Sequence, residues 1–174
     1  SKDKQLIQAA ETDALTSAYN KRSTEERIHN VLQEHPQEPG TFVIMDVDHF
    51  KEVNDIYGHI TGDKVLHKFG EVLHEHFREG DIVGRIGGDE FVVYMRKTDS
   101  REVAVSRIES LIKKVEELSF TEMNGKNITI SAGMAFAPEH GTGYFDLYKN
   151  ADTALYKTKQ NGRDGYNIYE EEKR

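Results

Sequence analysis

Two carboxylates, Asp89 and Glu90, follow a glycine pair inside an otherwise apolar, β-prone run: Arg85-Ile86-Gly87-Gly88-Asp89-Glu90-Phe91-Val92-Val93-Tyr94. Acids set among Ile82, Val83, Ile86, Phe91, Val92 and Val93 make a poor core but a sensible cation holder on rigid backbone. Gly87-Gly88 predicts a tight hairpin, because glycine adopts the positive φ of two-residue turns without steric penalty. Strand alternation points Asp89 and Glu90 to opposite faces, so one of them is expected to be a full ligand. A second acidic pair, Asp46 and Asp48, stands just beyond the apolar residues 41–45. Alternation puts both on one side, either as a second carboxylate cluster or as the strand's exit into solvent.

The elements that position these acids are legible in the spacing. Residues 41–45, bounded by Gly40, predict a central strand covered on both faces. A short helical turn closed by Gly58 follows. From Thr61 a helix carries Val65, Leu66, Phe69, Val72, Leu73 and Phe77 as one apolar stripe, and the hairpin comes next. Asp99-Ser100-Arg101-Glu102 resembles a capping box before a second amphipathic helix through Leu118. Residues 127–137 predict a strand, 144–160 a last helix ended by Gly162, and 166–169 an edge strand. An earlier helix is expected over 24–35, stopped by Pro36. The order predicts an α+β fold: a ferredoxin-like, palm-type βαββαβ core whose mixed, mainly antiparallel sheet packs with helices. In it the loop after Met45 faces the Gly87-Gly88 turn, bringing Asp46 within reach of Asp89 or Glu90. Carboxylates so close repel unless a cation lies between them, and Mg²⁺ suits such oxygen ligands when phosphate completes its shell. Lys51 could offset phosphate charge, though taken alone it reads better as a solvated surface lysine.

The chain has 174 residues, enough for one domain, and 36% are apolar. A formal charge of −8 disfavours non-specific contact with nucleic acid polymers or anionic membranes. The absence of cysteine excludes disulfides, thiolate catalysis and Cys-ligated zinc. No apolar run approaches the ~20 residues of a membrane span, so the segment is expected to be cytoplasmic, alone or as part of a membrane-tethered protein. Residues 1–11 are expected to end a linker helix and 12–174 to form the domain.

Gly87-Gly88-Asp89-Glu90-Phe91 resembles the motif that names the GGDEF family, the diguanylate cyclases. The resemblance extends over about residues 12–170. It takes in Asp13-Ala14-Leu15-Thr16, then Asp46-Val47-Asp48-His49-Phe50-Lys51, Asn54-Asp55, Gly58-His59 and Gly62-Asp63. Ala151-Asp152, Ala154-Leu155-Tyr156, Lys159 and Gly162-Arg163 complete it. It departs at Ser17-Ala18, where the family usually has Gly-Leu, and at Lys21, where Arg is common.

The resemblance implies Mg²⁺-dependent (or Mn²⁺-dependent) condensation of two GTP into cyclic di-GMP with loss of two pyrophosphates. It makes Asp89 the catalytic acid, and Asp46, the Val47 carbonyl and Glu90 its companions at the metal. Lys51 offsets charge on the transferring phosphoryl group. Asn54 and Asp63 read guanine with His59 between them, while Lys159 and Arg163 meet the terminal phosphates. Taken singly, Asp63 also reads as a first-turn acid, Lys159 and Arg163 as last-turn cations, and Asn54 as a turn residue. An amide oxygen and a carboxylate can accept from guanine N1–H and its amine, which adenine cannot match. Arg78-Glu79-Gly80-Asp81 has five residues between Asp81 and Gly87, the position where the family carries a product-inhibition site; an RxxD alone reads as a surface ion pair, but at this spacing the inhibitory site is the favoured reading. A product with two-fold symmetry implies a homodimer with facing sites, under an upstream sensory domain. The alternatives are a catalytically silent module that binds GTP or cyclic di-GMP, and a cyclase making a related dinucleotide.

Overall fold

The computed structural model describes residues 2–98 and 100–171. Its elements are α1 (Lys2–Glu11), α2 (Lys21–Glu34), β1 (Gly40–Val47), α3 (Phe50–Tyr57), α4 (His59–His76), β2 (Ile82–Gly87) and β3 (Glu90–Arg96). There follow α5 (Arg101–Glu116), β4 (Ser119–Phe120), β5 (Lys126–Asn127), β6 (Ile130–Ala137), α6 (Tyr144–Gln160) and β7 (Gly165–Ile168). Five strands form one sheet in the order β2-β3-β1-β6-β7, antiparallel except for the β6–β7 pair. The expected α+β fold is present.

β1 is central, and its alternation divides the core. Val43, Met45 and Val47 pack with Phe69, Phe91 and Ile108 on the α4–α5 side. Phe42 and Ile44 pack with Ile28, Leu147 and Leu155 on the α2–α6 side. Phe69 and Phe91 meet edge-on at 5.0 Å and 83°, worth about 0.5–1.5 kcal/mol beyond the area they bury. Phe91 therefore nails the acidic hairpin to α4 from beneath. α6 lies so close to β6 that a Cβ at Gly133 would sit 2.1 Å from the Ala151 carbonyl oxygen.

Several boundaries differ from the sequence reading, each for a local reason. α2 starts at Lys21 rather than Thr24, because Asn20 accepts from the Ser23 amide and caps it. α4 starts at His59, two residues earlier than expected, directly after Gly58 at φ 90°. The strand expected over 127–137 is split: Lys126–Asn127 pairs with Ser119–Phe120 in a separate two-stranded ribbon, and β6 begins at Ile130. Of the capping box, Asp99 lies outside the described residues, while Ser100 accepts from the Val103 amide at 3.2 Å. Among the described residues no helix is long and apolar enough to cross a membrane.

Candidate functional site

The antiparallel register of β1 and β3 sets Asp46 directly opposite Glu90. Side chains so paired share one face of the sheet, and here it is the α2–α6 face, where Ile44 and Val92 also lie. A register shift falls between Arg85 and Gly87, and the two turn residues are Gly88 and Asp89 rather than Gly87 and Gly88. Gly88 takes the positive φ, 49°. The strand alternation expected for Asp89 and Glu90 is thus replaced: Asp89 sits on the turn, half-buried, and Glu90 opens β3.

Arg85 ties this turn to the start of the domain. Its Nε donates to the Gly88 carbonyl at 2.8 Å, and its Nη1 lies 3.1 and 3.2 Å from the two Asp13 carboxylate oxygens. Asp13 also accepts from the Thr16 amide and hydroxyl at 3.0 and 2.8 Å. Those hydrogen bonds and the Arg85 charge hold the Asp13 carboxyl below its usual range, against burial, which is the largest influence. The Asp13 motif therefore braces the acidic turn.

Asp89 feels the charge of Asp46. Burial first, then the charge of Asp46, push Asp89 above the usual carboxylate range; the Asp89 and Val47 amides and Lys159 pull the other way. Burial also raises Asp46, against a hydrogen bond from Lys159 and with a further push from Asp48. Lys159 Nζ lies 2.5 Å from Asp46 Oδ2. Arg163 adds a cationic influence on Asp46. Asp46 Oδ1 is buried and has no hydrogen-bond partner among the described residues. An acceptor left dry and unpaired beside a second strained carboxylate fits a hard divalent cation.

Side chains alone do not complete a coordination shell. Among the described residues no three His, Cys, Asp or Glu groups gather to hold an ion. Mg²⁺ usually needs only one or two carboxylates when phosphate oxygens and water supply the rest, so the residues present fit it.

Asp48 has another task. Its side chain is buried and accepts from the Thr129 hydroxyl, the Ser131 hydroxyl and the Asp164 amide at 2.6, 2.6 and 3.0 Å. It fastens the loop after β1 to β6 and to the approach of β7, instead of forming a second open carboxylate cluster with Asp46. Sequence reasoning missed its partners because they lie as many as 116 positions away.

α3 carries Lys51 and Asn54, and α4 carries His59 and Asp63. Lys51, His59 and Asp63 are exposed, and Asn54 is half-buried. Gly62 allows Asn54 its place: a Cβ there would lie 1.9 Å from Asn54 Oδ1. The Arg78–Asp81 corner is not part of this cluster. Asp81 precedes β2 and Gly87 ends it, so they are separated by about 20 Å of strand. Asp81 is fully buried and accepts from the Arg78 and Arg96 amides at 3.0 and 3.2 Å, with the Arg78 and Arg107 guanidinium groups at 3.2 and 3.8 Å. A cleft of about 560 Å³ opens there, lined in part by Glu11, Tyr19, Arg27, Arg78 and Asp81.

Known proteins resemble this chain along most of its length. The family described as diguanylate cyclase, GGDEF domain, matches residues 10–165. MucR of Pseudomonas aeruginosa, a bifunctional diguanylate cyclase/cyclic di-GMP phosphodiesterase, is 34% identical over 170 residues, covering 97% of this chain and 25% of its own length. A diguanylate cyclase of Vibrio cholerae is 32% identical over 167 residues, covering 95% of this chain and 51% of its own. The chain thus spans a quarter to a half of these relatives. The coiled coil and GGDEF domain of DgcB from Caulobacter crescentus, solved in complex with c-di-GMP, superimposes with a TM-score of 0.87 at 25% identity, covering 96% of this chain and 90% of that one. With a family match across nine-tenths of its length and relatives above 30% identity, the chain belongs to the GGDEF family.

Proposed function

We propose that this domain is a diguanylate cyclase that condenses two GTP molecules into cyclic di-GMP and releases two pyrophosphates. One observation carries the reading: Asp46 and Asp89 come from separate segments into a half-buried site, the Asp46 charge pushes Asp89 up, and Asp46 Oδ1 has no hydrogen-bond partner among the described residues. Bound Mg²⁺ would neutralise both acids and polarise the phosphate. Asp46, the Val47 carbonyl, Asp89 and Glu90 would hold it.

Each GTP 3′-hydroxyl oxygen attacks the α-phosphorus of the other. That P–O bond forms as the bond to the β-phosphate breaks, and pyrophosphate leaves with the electron pair. Asp89 helps take the hydroxyl proton, a role suited to an acid whose proton affinity is already raised. Lys51 meets the transferring phosphoryl group, and Lys159 and Arg163 meet the terminal phosphates. Asn54 and Asp63 accept from the guanine edge, with His59 beside them. One chain offers one such site, so turnover needs two protomers facing across a two-fold axis. The Arg78–Asp81 corner binds the product as an inhibitor, supported by its position and by the adjoining cleft.

Incubation with GTP and Mg²⁺ at high protein concentration, with nucleotides resolved by chromatography, tests this reading. Cyclic di-GMP is expected from the chain as given and none from Asp89→Ala. GTP bound without product would favour the silent binding module instead.

A further inference from the structure

α6 reaches the acidic cluster twice. Lys159, near its C-terminal end, bonds Asp46; Tyr148, about three turns earlier on the same helix face, donates from its hydroxyl to Glu90 Oε1 at 2.7 Å. Asp46 and Glu90 are themselves cross-strand partners. One helix thus holds both acids of the β1–β3 pair, one through a cation and the other through a neutral donor.

The Tyr148 ring is held firmly. It stacks on Tyr144 at 6.1 Å and meets Phe42 edge-on at 6.3 Å. Gly133 sets the depth of the helix beneath it, since a Cβ there would strike the α6 backbone. The phenol carries the proton and the Glu90 carboxylate can only accept, so Tyr148 acts as donor. A carboxylate with one oxygen engaged by such a donor keeps the other wholly free and held in a fixed direction.

Resting on the function proposed above, we infer that Tyr148 is a positioning residue for Glu90: it engages Oε1, aims Oε2 at the metal site, and makes Glu90 a single-oxygen contributor. Outer partners of this kind typically change metal affinity 10–100-fold when removed.

The test uses Mn²⁺ as probe, with free Mn²⁺ followed by electron paramagnetic resonance. The chain is saturated with a GTP analogue bearing a methylene bridge between its α- and β-phosphorus atoms. Tyr148→Phe, which keeps the ring contacts, is expected to weaken Mn²⁺ binding roughly 10-fold. Glu90→Gln should also weaken it, and adding Tyr148→Phe to Glu90→Gln should change nothing more. A merely structural tyrosine would give the same loss in both backgrounds, and that result overturns the inference. Unaltered affinity in Tyr148→Phe, with the parent chain binding normally, overturns it alone. A parent chain that takes no Mn²⁺ overturns the proposed function along with it.

Discussion

Lys159 Nζ stands 2.5 Å from Asp46 Oδ2, so without a metal the lysine itself serves as countercharge to the buried acid. The Asp46 side chain is 14% exposed and the Lys159 side chain 34%, so the pair is only partly screened by water. In the proposed function, the same ammonium would move to nucleotide phosphate once another cation met Asp46. Lys159→Met is therefore expected to act twice. The ligand-free chain loses about 1–2 kcal/mol, or roughly 2–8 °C in Tm, because Asp46 keeps its burial and loses its partner. The KM for GTP rises roughly 10–100-fold, as expected for a lost charge-assisted bond. Calorimetry and steady-state kinetics read the two effects separately; a change in KM with an unchanged Tm would show that the pair contributes nothing to the empty site.

Asp89 illustrates the opposite balance. Burial and the Asp46 charge disfavour its ionised form, so the Asp89 carboxylate is under electrostatic strain at neutral pH. Asp89→Asn is expected to remove cyclic di-GMP synthesis by a factor of about 10² or more while raising Tm by about 2–4 °C. The figure is kept to ~1 kcal/mol because Asp89 is only half-buried and solvent screens it. The sign follows from linkage: an acid with a raised folded pKa contributes stability at low pH and loses it as pH rises through that pKa. The Tm advantage of Asp89→Asn should therefore shrink on acidification, where the wild-type carboxyl also becomes neutral. Melting curves across pH check this, and a gap independent of pH would remove the electrostatic explanation.

Alternation and turn chemistry made the strands, the acidic hairpin and the Asp46–Asp89 encounter legible in the sequence. The core followed too, since Val43, Met45 and Val47 must face away from Phe42 and Ile44 along one strand. Partner choice was not legible. Asp48 reads like Asp46 in the chain, yet Thr129 and Ser131 consume it because β6 lies alongside β1. Arg85 finds Asp13 across 72 positions, and Tyr148 finds Glu90 across 58. Such pairings depend on how deeply a helix seats and where a turn shifts register, as at Gly133 and between Arg85 and Gly87. Local pattern carries no record of either.

Under the proposed function, guanine selection would rest on a small residue, Gly62, as well as on Asn54 and Asp63. Gly62→Ala would drive a methyl group into Asn54 Oδ1, displacing the amide without disturbing the apolar stripe of α4. Its effect on nucleotide choice should resemble that of Asp63→Ala. Each is expected to erode the preference for GTP over ATP by about 10-fold or more, the penalty of a missing acceptor. Competition between the two nucleotides provides the measurement. Unchanged selectivity in both variants would remove Asn54 and Asp63 from guanine recognition.

At the Arg78–Asp81 corner, the two residues of the motif are expected to behave differently. Asp81 accepts from two backbone amides and pairs with two guanidinium groups, so Asp81→Ala leaves several buried donors unmet. It should destabilise the fold by about 2–4 kcal/mol whatever the ligand does. Arg78 has a side chain 45% exposed and can be removed more safely. Arg78→Ala is expected to lower affinity for cyclic di-GMP at least about 10-fold while turnover at low product is retained. Titration calorimetry with cyclic di-GMP decides it, and binding of undiminished strength would place any product site elsewhere.

Asp164 offers a pH effect that does not run through the titration of Asp46 or Asp89. Its carboxyl is pushed up to about 6 by burial, by a hydrogen bond shared with Glu116 and by the charges of Glu116 and Asp48. The folded state therefore binds this proton more tightly than the unfolded chain, whose Asp titrates near 3.8. The resulting stabilisation is complete below that value and is lost as pH rises through about 6. Asp164→Asn supplies a neutral donor to Glu116 at every pH, and asparagine tolerates the φ of 47° found here. Because Asp164 is exposed, the gain should be small, about 1–3 °C in Tm at pH 7.5, and should vanish near pH 4. Paired melts of the two proteins cancel the general acid sensitivity of the fold. A gain equal at both pH values would mean that the asparagine acts through backbone conformation and that the shared proton contributes nothing.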